Sequence, residues 1–98
     1  MSRLAFKIYV AGINPRNKHL ISMFEKVCME KITNYAYDIE VIDILKNPEK
    51  TETMKILAVP TIVREKPGPE KRIIGELADK NKAEQALHFL LNDLINYK

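Results

Sequence analysis

The string KIYVAGINPRN, Lys7 to Asn17, is a strand that runs into a turn and then into the start of a helix. Its apolar part belongs to a β-rich run, Leu4 to Ala11, interrupted mainly by Lys7, which is the pattern of a central strand covered on both faces. Gly12 ends the run. Asn14 then offers a side-chain oxygen to the first free amides of a helix, and Pro15 takes the first helical position, where its missing N–H costs nothing. The helix is predicted to reach about Lys31, with Leu20, Met23, Phe24, Val27 and Cys28 on one buried face.

Beyond that helix, Asp38 to Leu45 reads as a second strand, parallel to the first because a long helix separates the two. Asn47-Pro48-Glu49 repeats the cap signal: an N-cap, a proline at the first helical position and a carboxylate in the first turn. This second helix is expected to end by Leu57, since Pro60 biases Val59 out of helical conformation. Thr61 to Arg64 and Lys71 to Ile74 read as an antiparallel hairpin, with Pro67-Gly68 at the centre of a type II turn. From Asp79, an N-cap, a last helix carries Ala83, Ala86, Leu87, Leu90, Leu91 and Leu94 on one face. The predicted order is βαβαββα, an α/β fold in a single domain spanning residues 1–98.

Composition narrows the function classes. The 98 residues are 46% hydrophobic and 30% charged with a net charge of +3, an ordinary globular balance. Cations alternate with acids, and the four tyrosines form no stacking platform, so nucleic-acid binding is not expected. No apolar run reaches the roughly 18 residues of a membrane helix, and the N-terminal stretch does not read as a leader. One cysteine, Cys28, fits a reducing compartment, and the expected location is the cytoplasm.

The candidate chemistry is sparse. A thiol enzyme on this layout needs a thiolate at the start of the first helix, where the dipole lowers its pKa, and Asn14 to Asn17 supply none. Cys28 lies three to four turns further on, on the buried stripe, and reads as structural. His19 and His88 have no partner at metal-ligand spacing and read as solvated helix residues, His88 one turn after Glu84. Glu40 and Asp43 point to opposite faces of one strand and are no acid–base pair. No catalytic residue, metal or cofactor is assigned.

The strand and helix order, with proline at the start of the third strand, resembles the thioredoxin-like plan. More specifically, YVAG (Tyr9–Gly12), VIDILKNP (Val41–Pro48), KILAVPT (Lys55–Thr61) and RIIGELAD (Arg72–Asp79) resemble the KaiB family. That resemblance implies a three-layer βαβαββα sandwich, with a cis peptide bond before Pro60. It also implies an alternative ground-state fold, the chain rearranging after about residue 48. The implied function is non-enzymatic: binding to the KaiC ATPase ring and modulation of its phosphorylation cycle, with a homo-oligomer, dimer or tetramer, in one state.

The resemblance offers Lys55, Lys71 and Arg72 as partner contacts, a solvated surface being the alternative for each. Clock members typically have glycine where Ala86 stands. Alanine favours helix by about 0.8–1 kcal/mol, so Ala86 is expected to bias the fold balance toward the thioredoxin-like state. Glu40 stands where clock members tend to have lysine, and His19 where they tend to have arginine. Those departures, a charge reversal at Glu40 among them, leave open another signalling partner, as in a stress-adaptation adaptor that does not bind KaiC. A thiol-dependent oxidoreductase is the third and weakest reading.

Overall fold

β1 (Leu4–Val10) is the strand around which the rest assembles. Its apolar run lets both edges be paired: β2 (Tyr37–Asp43) lies parallel on one side, from Leu4↔Tyr37 to Val10↔Asp43, and β3 (Thr61–Lys66) antiparallel on the other. β4 (Lys71–Ile74) pairs antiparallel with β3, so the sheet order is β2-β1-β3-β4. The computed structural model describes residues 3–75, 77 and 79–94. The other positions, among them the ends of the chain and Glu76 and Ala78 of RIIGELAD, lie outside the described residues.

Period-two alternation sends the strand residues to two different cores. Leu4, Phe6, Ile8 and Val10 of β1 and Ile62 of β3 join the buried faces of α1 (Pro15–Lys31) and α3 (Lys80–Leu91) in the main core. Phe6 and Phe24 meet there edge to face at 5.4 Å. Tyr9, Ile42, Val63 and Ile56 form a smaller cluster on the opposite face, against the end of α2 (Glu49–Thr53). Two helices, a sheet and one short helix make three layers, a thioredoxin-like α/β sandwich.

Caps behave as local chemistry requires at both long helices. Asn14 Oδ1 accepts from Asn17 N–H at 2.8 Å, and Asp79 Oδ1 accepts from Lys82 N–H at 2.8 Å. The short helix departs from expectation. Pro48, not Asn47, is its N-cap, without a side-chain cap bond. Asn47 faces backward instead, its amide donating to Asp43 O at 3.1 Å across the tight turn that ends β2. α2 ends at Thr53, before Leu57 as expected, where Lys55 takes a left-handed φ of 54°.

The hairpin connection differs too. A type II turn needs positive φ at Gly68, and Gly12 and Gly75 are the glycines that have it. Pro69 explains this, since a residue before proline is held in extended conformation. The Lys66-Pro67 and Gly68-Pro69 bonds are both cis. β3 runs two residues beyond the expected Arg64, which brings Glu65 within 2.9 Å of Lys7.

Candidate functional site: the edge around Pro60

β1 and β2 end, and antiparallel β3 begins, at the same end of the sheet. Gly12 to Asn17, the turn after Asp43, the segment before Thr61 and the last residues of β4 therefore meet there. Side-chain bonds hold them: Asp43 Oδ1 accepts from Gly12 N–H (2.9 Å) and Leu45 N–H (3.0 Å), and Asn17 Nδ2 donates to Gly12 O at 2.7 Å. Gly12 sits at φ 87° with Leu45 Cδ1 3.4 Å from where a Cβ would stand, so a side chain there would be strained. The Val59-Pro60 bond is cis, and Pro60 O accepts from Gly75 N–H at 3.2 Å.

A shallow cleft between the start of α1 and this loop is lined by Ala11, Asn14, Arg16, Asn17, Val59 and Pro60. None of these carries a thiol. Four exposed large apolar residues, Ile13, Leu45, Leu57 and Ile74, lie in the segments at this end of the sheet, with Leu57 92% exposed.

The three predicted contact cations do not form one patch. Lys71 and Arg72 are neighbours on β4, so they point to opposite faces. Arg72 lies on the α2 face and donates to Met54 O at 2.6 Å and Lys55 O at 2.9 Å, and it also bonds Glu70. Lys71 turns to the α3 face, where it bonds Asn92 and lies 4.3 Å from the centre of the Phe89 ring. The structure thus brings Lys55 and Arg72 together and separates Lys71 from both.

Lys55 is the exposed member, and its backbone is unusual. Ile56 N–H bonds Thr51 O at 2.9 Å and Lys55 N–H bonds Glu52 O at 3.2 Å, the paired bonds of a Schellman C-cap whose left-handed position is Lys55 itself. Glycine is the usual residue there, and a side chain costs about 1 kcal/mol. Arg72 then binds the carbonyls of Met54 and Lys55. The result is a lysine held outward on a fixed turn, two residues before Leu57.

The other sequence candidates are dispersed. Cys28 is fully buried in the main core, and burial, with the Glu25 charge adding, pushes its thiol up to about 12. Glu40 and His19 are exposed, Glu40 on β2 opposite Lys7 and His19 on α1. Glu84 lies 3.5 Å from Lys31. Among the described residues no group of three His, Cys, Asp or Glu could hold a metal ion, and no helix is long and apolar enough to cross a membrane.

Arg64 and Tyr9 are buried polar side chains that the sequence reading did not single out. Arg64 is fully buried and bound to Asp93, whose carboxyl it holds at about 2 through that hydrogen bond. Tyr9 is buried with its hydroxyl unpartnered, and burial raises its pKa. For Arg64 a signal existed: it follows Ile62 by two residues, which puts it on the same, core-facing side of β3.

Comparison with known proteins gives a consistent picture. The KaiB domain family matches residues 7–89. The circadian clock oscillator protein KaiB1 of Synechocystis sp. is 38% identical over 88 residues, 90% of this chain and 83% of that protein. The circadian clock protein KaiB3 of the same organism is 32% identical over 82 residues, 84% of this chain and 79% of that protein. Among solved structures, the N-terminal domain of Synechococcus elongatus SasA superposes with a TM-score of 0.77 at 16% identity, over 95% of this chain and 87% of that one. Chloroplastic thioredoxin z gives 0.63 at 19% identity, over 92% and 80%.

Proposed function

The chain belongs to the KaiB family, and on that premise we propose that it is a non-enzymatic regulatory protein of a timing system. It binds a KaiC-type ATPase and modulates its phosphorylation cycle. The observation that carries this reading is the Pro60 end of the sheet: a thioredoxin-like scaffold with Asn14 to Asn17 in place of a thiol, and with exposed apolar side chains and the outward-held Lys55 in the segments at that end. Relatives named as circadian clock proteins, matching nearly the whole chain, support the same reading.

In this reading Lys55 and Leu57 contact the partner, and Arg72 is a positioning residue that fixes the turn presenting them. Lys71 contributes through α3 rather than through contact. A partner that binds only the thioredoxin-like state draws the population out of an alternative ground-state fold and its oligomer; shifting that balance from 1:99 to 99:1 takes about 10⁴-fold differential affinity.

Lys55→Gly separates side chain from backbone. The left-handed turn suits glycine, so the variant keeps the native fold and its stability to within about 1 kcal/mol while removing the cation. Titrated against a purified KaiC-type hexamer from the same organism, it should bind at least tenfold more weakly than wild type. Unchanged affinity removes Lys55 from the interface. No binding by wild type, with capture of a different protein from native extract, replaces the clock partner with that of a redirected adaptor, the alternative that the departures at Glu40 and His19 leave open.

A further inference from the structure

The end of α3 lacks any local stop. Residues 91–98 read LNDLINYK, without the glycine or proline that usually ends a helix, and Asn92 at the C-cap keeps helical φ and ψ. The last turn is closed differently. Leu94 N–H bonds Leu91 O at 3.0 Å instead of Leu90 O, so Leu90 O receives no intrahelical partner from it. Arg64 Nη1 donates to Leu90 O at 2.7 Å, from a strand 26 residues earlier.

The same guanidinium does more. Its Nη1 and Nη2 reach Asp93 Oδ1 at 2.5 Å and Oδ2 at 2.9 Å, and Nη2 also reaches Pro69 O at 2.8 Å in the β3–β4 connection. Asp93 by itself would be unfavourable at the negative end of the α3 dipole, and Arg64 reverses the local sign. Lys71, the cross-strand partner of Arg64, adds a second cation by bonding Asn92 and lying over Phe89. All four acceptor contacts of Arg64 are made by one planar fork that is wholly out of water.

We propose that Arg64 is a tertiary C-cap: with Asp93 it determines where α3 ends and locks that end onto β3 and the β3–β4 connection in one position. An apolar stripe alone allows a helix to slide or rotate over a sheet at small cost, whereas the two Nη groups of a buried fork meet all four acceptors in a single placement, even with Nε left unpartnered. Lysine cannot replace it, since one ammonium lacks the planar geometry to serve a bidentate carboxylate and two carbonyls on separate segments.

The test is residue-resolved amide hydrogen exchange on the full chain, comparing wild type with Asp93→Asn and Arg64→Lys. Both variants should lose at least tenfold in protection at Leu90, Leu91 and Leu94, with chemical-shift changes in the 66–70 connection, while amides of β1 and α1 keep theirs. Protection lost evenly over the whole chain would make the pair a general stability contact and overturn the proposal, as would an Arg64→Lys variant indistinguishable from wild type. Asp93→Asn alters a partly exposed group and keeps the test decisive if Arg64→Lys fails to fold.

Discussion

Cys28 should behave as an inert core residue, and its reactivity can be worked out in numbers. Its thiol is pushed from 9.0 to about 12, mainly because the side chain is fully buried beside Phe24 and Val27 on the main-core face of α1. At pH 8 about one thiol in ten of ordinary pKa is ionised, against about one in ten thousand for Cys28. Since the thiolate is the nucleophile, reaction with an aromatic disulfide reagent should be about 1,000-fold slower in the native protein than in the same protein unfolded in urea. The shift also couples to folding. A raised folded-state pKa leaves its stabilisation intact below about pH 9 and loses it as pH rises toward 12; three units correspond to about 4 kcal/mol at most. Stopped-flow labelling at pH 8 and urea titrations at pH 8 and 10.5 measure the two effects separately. Native labelling within tenfold of the unfolded rate would refute the burial argument and reopen thiol chemistry on this scaffold.

Two further substitutions test the packing and the helix bias. Phe24→Ala removes a fully buried ring and its edge-to-face partner Phe6, and should cost about 3–5 kcal/mol in chemical denaturation; a loss under 1 kcal/mol would mean that the main core is not built around that pair. Ala86→Gly, at a buried position of α3, should lower helix stability by about 1 kcal/mol, and NMR should show a reduced α3 population; unchanged α3 resonances would rule out Ala86 as a determinant of the fold balance.

The parts of this fold that sequence reveals are those whose physics is local. Asn14-Pro15 and Asp79 mark helix starts because a cap bond spans three residues, and the observed bonds to Asn17 and Lys82 have that span. The same logic misjudged α2. Asn47-Pro48-Glu49 has the composition of a cap, but the turn after β2 takes up the Asn47 side chain, and the Lys55 turn ends the helix after five residues. At the candidate site the missing thiol was legible, while Lys55, Lys71 and Arg72 came from the family resemblance. Their different settings were not legible, because the Arg72 acceptors Lys55 O and Met54 O lie 17 and 18 residues away on another layer.

By itself, then, the sequence determined the βαβαββα order, the two capped helices, the apolar strand at the centre and the thiol-free turn that opens α1. These follow from periodicity and from bonds spanning a few residues. Tertiary structure alone decided which acceptors converge on Arg64, that Lys71 serves α3 while Arg72 serves α2, and that Lys55 is the member of the three left facing outward. Burying a charge is favourable only when acceptors converge on it, and those of Arg64 come from positions 5, 26 and 29 residues along the chain, brought together only when sheet and helix are already packed.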